Sequence, residues 1–338
     1  MSVPVAIVGV GGYAGQQLYR CIAAHPMLSI AGVFGSESTS GRALGTIAPS
    51  LRDADLIVAE TTAEALASSG AEAVFLATPH EASVGIADSA LRGGLRVIDL
   101  SAAFRLANPE DYPKFYGFEH ARPDLLRVAV YGLPELDRER LPSAELIAAP
   151  GCYPTSAILP LAPLIAKGTI ERSRDIVIDS TSGVSGAGRT ASGRTSFCEV
   201  SQSPYGVFSH RHQPEIDLYC GAATVFTPHL GPYERGICST IHATLIDAAS
   251  EATVRDILHD QYAAEPFVRL LPSGEWPSVG AVVRTNFIDI AVAVRGRHLI
   301  AVSCLDNLMK GAAGQALQAF NASMGWDERL GLVPGAVG

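Results

Sequence analysis

The first half of the chain alternates short apolar runs with segments in which apolar residues recur at helical spacing. The apolar runs are rich in Val, Ile and Leu and predict buried strands; they cover residues 3–8, 28–34, 73–77, 96–100 and 144–149. Between them, the segment after Val8 and the segment 81–91 are predicted to be helices. Because strands and helices alternate, we predict an α/β fold with a doubly wound parallel sheet over residues 1–150.

The pattern changes after the turn formed by Pro150 and Gly151. An apolar segment from Thr155 to Lys167 predicts a helix. Further on, GICSTIHATLID and TNFIDIAVAVRGRHLIAVSCL have the β-branched content and alternation of strands in a half-exposed sheet. We therefore predict a mixed α+β domain over residues 151–305. Within the last segment, 306–338, residues 307–324 are predicted to form a helix.

A glycine-rich turn, GVGGYAG, joins the first strand to the first helix. Gly9, Gly11 or Gly12, and Gly15 allow the chain to turn tightly and leave backbone amides bare at the helix N-terminus, where the dipole favours a pyrophosphate. Ordinary βα turns can share this pattern. Here the turn follows one strand, opens a helix and precedes a second strand, so it predicts a Rossmann-type dinucleotide-binding domain.

The end of the second strand bears on the choice of coenzyme. A coenzyme without a 2′-phosphate usually meets an acidic residue there. This chain has FGSESTSGR, with the hydroxyls of Ser36 and Ser38 and the guanidinium of Arg42, which suit a 2′-phosphate. Glu37 argues in the opposite direction. We predict NADP, with NAD as the alternative.

One cysteine, Cys152, stands where a strand passes into a helix. A thiol just before a helix N-terminus lies at the positive end of the dipole, which favours the thiolate, and the amides there can stabilise an oxyanion. A buried structural cysteine is the alternative. We predict that Cys152 is a nucleophile and that the remaining five cysteines are buried and structural; these are Cys21, Cys198, Cys220, Cys238 and Cys304.

Two polar segments of the second half could complete a site around this thiol. The loop SGVSGAGR, from Ser182 to Arg189, offers hydroxyls, backbone amides and a guanidinium to a phosphate or carboxylate, or is a flexible surface loop. His210 and His212 directly precede a helix, and one of them is predicted to be the acid/base partner of the thiol, with Glu215 as a possible orienting carboxylate. No nearby Cys or His completes a zinc ligand set, so no metal is predicted.

Composition narrows the class of partner and compartment. The formal net charge of −9 argues against nucleic acids and anionic membranes, which require a basic surface. No run approaches the ~20 apolar residues of a membrane span, and the N-terminus has no cleavable apolar leader. The cysteines form no CxxC pair and fit a reducing compartment. We expect a cytoplasmic enzyme with a small-molecule substrate.

Six segments, taken together and in this order, resemble the N-acetyl-γ-glutamyl-phosphate reductase family of arginine biosynthesis. They are GVGGYAGQQL, PGCYPTSA, SGVSGAGR, PYGVFSHRHQPEI, FTPHLGPYERGI and DNLMKGAAGQALQ, which extend from residue 9 to residue 318. More distant relatives by fold are the aspartate-semialdehyde and glyceraldehyde-3-phosphate dehydrogenases. The resemblance implies a catalytic and dimerisation domain of the glyceraldehyde-3-phosphate dehydrogenase type, a C-terminal helix that returns to the Rossmann domain, and a homodimer or homotetramer.

The resemblance also implies a role for individual residues. Catalysis falls to Cys152 with His210 or His212. The coenzyme-binding positions are Gly9, Gly11, Gly12, Tyr13, Ala14, Gly15, Ser36, Ser38, Arg42, Ser182, Gly183 and Asn307, the last near the nicotinamide amide. The positions assigned to the acyl phosphate substrate are Arg105, Ser185, Gly186, Arg189 and Glu215.

These roles imply that NADPH reduces N-acetyl-L-glutamyl 5-phosphate to N-acetyl-L-glutamate 5-semialdehyde through a cysteine thioester, with release of phosphate. A paralogous reductase acting on an aminoadipyl phosphate in lysine biosynthesis is the nearest alternative, and only the length and charge of the pocket would separate the two. A nucleotide-sensing protein without catalysis is an alternative of a different class. Cys152, His210 and His212 argue against it, because a sensor does not require a reactive thiol.

Overall fold

The computed structural model describes residues 2–333 and divides them into two compact units. One unit consists of the described residues up to Pro150 together with those from Ala312 onward. The other is Gly151–Gly311, so it ends later than the predicted residue 305. Side-chain bonds explain this difference, because Asp306 pairs with Arg235 and the Asn307 carboxamide accepts from the Gly236 amide, both within the second unit.

The first unit contains a seven-stranded sheet in which all neighbouring strands are parallel, in the order β3-β2-β1-β4-β5-β7-β6. Its strands are β1 (Val3–Val8), β2 (Leu28–Gly35), β3 (Ala59–Glu60), β4 (Ala73–Leu76), β5 (Arg96–Asp99), β6 (Val130–Tyr131) and β7 (Leu146–Ala148). Its helices up to β7 are α1 (Tyr13–Ala23), α2 (Leu44–Ile47), α3 (Ala63–Ser68), α4 (His80–Arg92), α5 (Asp111–Tyr116), α6 (Pro123–Leu126) and α7 (Pro134–Asp137). The strand order reverses between β1 and β4, which is where doubly wound sheets bind ligands. The predicted fold class is confirmed.

The second unit contains a mixed seven-stranded sheet in the order β12-β13-β14-β11-β8-β10-β9. Its strands are β8 (Val177–Gly183), β9 (Ser203–Pro204), β10 (Val225–Gly231), β11 (Ile237–Thr244), β12 (Val268–Leu270), β13 (Ile288–Arg295) and β14 (His298–Leu305). Its helices are α8 (Cys152–Ala166), α9 (Gln213–Cys220), α10 (Glu251–Tyr262) and α11 (Val279–Val282). Residues of β11 alternate strictly between buried and half-buried, as the sequence pattern predicts.

Helix α8 begins at Cys152, three residues before the predicted start at Thr155. Gly151 is its N-cap, in an extended conformation. Pro154 is the reason that the start is easily missed, because a proline usually breaks a helix. In the first turn, however, its missing N–H has no carbonyl to pair with, so no hydrogen bond is lost. The amide of Thr155 donates the first helical bond to the Gly151 carbonyl, at 2.9 Å.

The predicted last helix, 307–324, is replaced by two elements. Met309–Ala313 forms a π-helix, and α12 (Gly314–Ser323) follows. The Asp306 carboxylate accepts the amides of Leu308 and Met309, which fixes the start of the π-helical turn. Helix α12 belongs to the first unit, where the Phe320 ring packs edge-on against Phe75 at 5.4 Å.

Candidate active site

The thiol of Cys152 lies at the first residue of α8, under the backbone of the π-helix. A Cβ atom added to Gly311 would stand 2.7 Å from the Cys152 Cβ and 3.1 Å from its Cα. Such separations are shorter than van der Waals contact, so only glycine fits here. The amide of Gly311 donates to the Asp306 carbonyl at 2.9 Å, the long-period bond that defines the π-turn. The position of Cys152 is therefore fixed from two elements of the second unit.

Glu215 anchors the turn that precedes the thiol. Its side chain is fully buried on α9, and its Oε1 accepts a hydrogen bond from the Gly151 amide at 2.8 Å. His212 is the N-cap of α9, and Glu215 lies in the first turn of the helix, where the dipole favours a carboxylate. The sequence predicted that Glu215 orients a histidine or binds substrate. The structure shows it bonded to the backbone beside Cys152.

His210 belongs to an aromatic cluster next to the thiol. Its ring centroid lies 5.7 Å from Tyr153, 5.3 Å from Tyr205 and 4.9 Å from His212. The Tyr205 hydroxyl donates to the Tyr153 hydroxyl at 3.3 Å, and the latter donates to the His229 carbonyl at 2.9 Å. Both phenols also interact electrostatically with Cys152. Both predicted histidines thus pack against Tyr153, the residue that directly follows the predicted nucleophile.

Burial determines the protonation of this cluster. Desolvation, followed by the adjacent Arg211 charge, lowers the pKa of His210 to about 4. Its Nδ1 accepts the His212 amide at 3.1 Å, so the neutral ring carries its proton on Nε2. Burial raises the pKa of Tyr153 and of Tyr205. Near neutral pH the cluster therefore presents neutral hydrogen-bond donors.

The Ser/Gly loop divides into a buried and an exposed part. Ser182, Gly183 and Ser185 are buried, and Ser185 Oγ accepts from the Asn307 Nδ2 at 3.0 Å. The Oδ1 of Asn307 accepts the Gly236 amide at 2.6 Å, so its carboxamide is bonded on both sides within the second unit. Gly186 and Arg189, by contrast, are exposed.

Arg105 lies in the first unit and is buried. Its Nε donates to the Ala149 carbonyl at 2.7 Å and its terminal nitrogen to the Leu100 carbonyl at 2.8 Å. These bonds tie the ends of two neighbouring strands, β5 and β7. The arginine predicted to bind substrate therefore supports the backbone three residues before Cys152 in the chain.

A pocket of about 560 Å³ lies at the carboxyl end of β1, β2 and β4. Its lining residues are Val8, Gly9, Gly11, Gly12, Gly35, Ser36, Glu37, Thr39, Glu60, Thr61, Ala77, Thr78, Pro79, Ala82 and Ile86. Gly9 has φ +85°, and a side chain there would overlap the Ala77 carbonyl. Gly12 is the N-cap of α1 and supplies no side-chain cap, which leaves the first amides of the helix available to a pyrophosphate. The pocket fits the adenosine and pyrophosphate part of a dinucleotide.

Not every predicted coenzyme residue borders this pocket. Ser36 borders the pocket, but Ser38 and Arg42 do not. The hydroxyl of Ser38 is hydrogen-bonded to that of Ser36 at 2.9 Å. Arg42 is exposed in the segment between β2 and α2. Tyr13, Ala14 and Gly15 lie in the first turn of α1 behind the glycines, and a side chain at Gly15 would overlap the Gly9 carbonyl.

Three groups were missed by the sequence prediction. Tyr153 and Tyr205 pack against His210 and are bonded to each other, and Gly311 packs against the Cβ of Cys152. Tyr153 follows Cys152 directly, and this adjacency was the available signal. Tyr205 and Gly311 are distant in sequence, so only the fold reveals their role.

The prediction that the remaining cysteines are buried is wrong for two of them. Cys21, Cys220 and Cys304 are buried, but Cys198 is exposed and Cys238 is half-buried. Cys198 follows the short 3₁₀ turn Gly193–Thr195, outside either sheet. Cys238 lies on the half-exposed face of β11, opposite Cys304 of β14.

Within residues 2–333, no group of three His, Cys, Asp or Glu side chains is arranged to hold a metal ion. None of the helices in that range combines the length and apolar content that crossing a bilayer demands.

Comparison with known proteins defines the class first. Residues 4–144 match the family model described as the NAD binding domain of semialdehyde dehydrogenase, and residues 152–307 match its dimerisation domain. Aspartate-semialdehyde dehydrogenase II of Vibrio cholerae has a similar fold, with a TM-score of 0.72 at 17% identity over 96% of this chain and 98% of that one. The Candida albicans aspartate-semialdehyde dehydrogenase with NADP gives 0.73 at 14% identity over 95% and 98%. The chain is a dehydrogenase of this class.

A sequence relative identifies the family within that class. The N-acetyl-gamma-glutamyl-phosphate reductase of Salmonella typhi is 46% identical over 97% of this chain and 98% of its own length. The chain belongs to the N-acetyl-gamma-glutamyl-phosphate reductase family.

Proposed function

We propose that this protein uses NADPH to reduce N-acetyl-L-glutamyl 5-phosphate to N-acetyl-L-glutamate 5-semialdehyde, releasing phosphate, as a step of arginine biosynthesis. The observation that carries the proposal is the placement of Cys152. The thiol lies at the first residue of α8, next to Tyr153, which packs with the half-buried His210, and His210 in turn contacts Tyr205, in a chain of this reductase family.

In the proposed reaction, the Cys152 thiolate attacks the acyl carbon and phosphate leaves, which forms a thioester. The amides in the first turn of α8 stabilise the oxyanion. A coenzyme held at the glycine turn, in the pocket lined by Gly9, Gly11 and Gly12, would supply the hydride that reduces the thioester carbonyl. Hydride addition would leave the alkoxide of a thiohemiacetal, and its collapse breaks the C–S bond and releases the aldehyde and the Cys152 thiolate.

We assign to His210 the role of the histidine that acts on the acyl oxygen. Because its Nδ1 accepts a backbone amide, the neutral ring carries its proton on Nε2, and we assign this N–H to the acyl oxygen as the hydrogen-bond donor that stabilises its negative charge. Acid/base exchange at Nε2 would require the ring proton to move to Nδ1 and the bond from the His212 amide to break. Glu215 is assigned the role of holding the Gly151–Cys152 backbone in place. His212, which is buried beside His210, supports that ring and remains the alternative acid/base.

The test is an assay in the reverse direction, with N-acetyl-glutamate semialdehyde, phosphate and NADP. Cys152→Ala is expected to lower the phosphate-dependent formation of NADPH at least about a thousandfold, as loss of a nucleophile does in other enzymes. Cys198→Ala is the matched control, since that thiol is exposed and outside the cluster, and it is expected to retain full activity. Substantial turnover by Cys152→Ala would remove Cys152 from the mechanism. A faster reaction with the aminoadipate semialdehyde would instead transfer the substrate assignment to the longer chain.

The second unit is assigned a role in assembly as well as catalysis. Its match to a dimerisation domain, together with the half-exposed alternate residues of β11, supports a homodimer or a homotetramer built on the second sheet. Light scattering tests this, and a monomer at micromolar concentration would contradict it.

All six cysteines are free thiols, which agrees with a cytoplasmic location. Fractionation of cells that express the tagged protein tests that location.

A further inference from the structure

Two cysteines that the proposed reaction does not use, Cys238 and Cys304, stand opposite each other on neighbouring antiparallel strands of the second sheet. The Gly183 amide of β8 donates to the Gly236 carbonyl at 2.9 Å, so that carbonyl points toward β8. The N–H of Ile237, on the other side of the same trans peptide, therefore points toward β14. Because the bonds between β11 and β14 start at Ile237, Cys238 and Cys304 form a non-hydrogen-bonded pair.

A pair of this kind has the spacing that a disulfide requires. Its Cα atoms are about 4.5 Å apart, and a disulfide joins Cα atoms that are about 4.4–6.8 Å apart. The two thiols interact through a side-chain hydrogen bond. Both also interact electrostatically with Tyr233, whose hydroxyl donates to the Thr181 carbonyl at 2.9 Å. An S–S bond would thus need rotation of the two side chains and not a new arrangement of the strands.

The two sulfurs have different surroundings. Cys238 is half-buried, and its hydrogen bond with Cys304 lowers its pKa. Cys304 is buried, and the same hydrogen bond, followed by desolvation, raises its pKa. Asp289, its partner on β13, adds a negative charge that acts in the same direction. Since the thiolate is the reactive form of cysteine, Cys238 is the sulfur that reacts first.

We propose that Cys238 and Cys304 form a reversible disulfide site that hydrogen peroxide oxidises. The Cys238 thiolate attacks a peroxide oxygen and the O–O bond breaks, which gives a sulfenic acid and a hydroxide that takes up the proton released by the thiol. The Cys304 sulfur then attacks the Cys238 sulfur, the S–O bond breaks, and the hydroxyl leaves as water with the Cys304 proton. The two thiols are oxidised to one disulfide, the peroxide is reduced to water, and a dithiol reductant reverses the change.

The new bond would lie beside two native links between the same two chain segments. Arg235 pairs with Asp306, and the Gly236 amide donates to the Asn307 carboxamide. These residues directly precede β11 and directly follow β14. A disulfide that fits this arrangement restricts the unfolded chain while it preserves the folded one, so it is expected to stabilise the fold.

The test treats the folded protein with hydrogen peroxide and maps disulfides by mass spectrometry of unreduced peptides. A linked pair of peptides that contain Cys238 and Cys304 is expected, and dithiothreitol should restore both thiols. The urea midpoint of the oxidised protein should be higher than that of the reduced protein. Cys238→Ser and Cys304→Ala, each compared with its own reduced form, should show neither the link nor the rise.

Cys198→Ala is the matched control, because that thiol is exposed and lies outside both sheets. It is expected to leave the link and the rise in the midpoint unchanged. The proposal is overturned if peroxide does not link Cys238 to Cys304 in the folded protein. It is also overturned if the linked protein has a urea midpoint no higher than the reduced protein, since the bond would then form only by distorting the sheet. Neither measurement uses substrate or coenzyme, so each outcome is independent of the proposed function.

Discussion

At the scale of single residues, the reactive centre is held by contacts that tolerate little change. The Gly151 amide is fixed by a buried carboxylate on one side of Cys152, and the Gly311 backbone lies against the Cys152 Cβ on the other. The thiol can therefore move only if α8, α9 or the π-helix moves. Such restraint matters because a nucleophile misplaced by about 1 Å loses a large part of its rate.

Replacement of Gly311 by alanine tests this restraint. The new Cβ would lie 2.7 Å from the Cys152 Cβ, so either the thiol or the π-helical turn must shift. We expect kcat to fall at least about tenfold and the free energy of unfolding to fall by about 1–3 kcal/mol, the usual cost of overpacking. Steady-state kinetics and urea denaturation measure the two effects.

Gly280→Ala serves as the comparison for Gly311→Ala. It also lies in the second unit, but an added Cβ there meets only the Ser278 hydroxyl at 3.8 Å, an ordinary contact. It should leave both quantities nearly unchanged. Equal kcat for Gly311→Ala and wild type would show that the close approach does not restrain the thiol.

At the scale of elements, the sequence locates helices and strands better than it locates their ends. The start of α8 was predicted three residues too late because Pro154 lies there, and proline breaks helices in general but not in their first turn. The strands β3 and β6 contain two residues each, too few to show an alternation, and were missed. The π-helix was read as part of a longer helix, because its wide turn depends on the Asp306 carboxylate and on close packing against Cys152, which no periodicity reveals.

The glycine turn between β1 and α1 is the element in which sequence and structure agree most closely, and a pair of substitutions tests why. Gly9 and Gly70 both have positive φ, +85° and +72°, but a Cβ at Gly9 would overlap the Ala77 carbonyl whereas Gly70 has open space around it. Gly70→Ala should therefore cost only the strain of the left-handed conformation, about 1–2 kcal/mol. Gly9→Ala should cost more and should weaken NADPH binding at least about tenfold, because the turn must open.

The measurements for this pair are urea denaturation and coenzyme titration. Unchanged NADPH affinity in Gly9→Ala, with a stability loss no greater than that of Gly70→Ala, would mean that the turn tolerates a side chain and that its shape does not govern coenzyme binding.

At the scale of the whole molecule, the α/β class with a parallel sheet and the family could be predicted from the sequence, since both depend on periodicity and on motifs that lie within short segments. The site could be predicted only in part. Cys152 and the histidines are marked by their own motifs. Arg105 and Asn307 show why. Their motifs predict a polar side chain near the site, but not that backbone carbonyls or a backbone amide already bind that side chain.

Three histidines spread over the chain make stability depend on pH in a predictable direction. Burial lowers the pKa of His25, His120 and His210, from 6.5 to about 4 in the last case. Below pH 6.5 the unfolded chain therefore binds protons that the folded chain does not. The part of the free energy of unfolding that these histidines contribute above pH 6.5 is lost as the pH falls from 6.5 through the folded pKa values. Burial also raises the pKa of Asp99 and Asp217, which favours the folded state at low pH and opposes the trend.

We expect the free energy of unfolding, measured by urea titration, to be lower at pH 5 than at pH 7, with His210 contributing at most about 2 kcal/mol of the difference. His210→Gln should reduce the difference by that amount, because its side chain does not titrate. His259→Gln, at an exposed position on α10, should leave it unchanged. If His210→Gln and His259→Gln change the difference alike, then burial does not lower the pKa of His210 in the folded enzyme, and the ring is not held as a neutral donor.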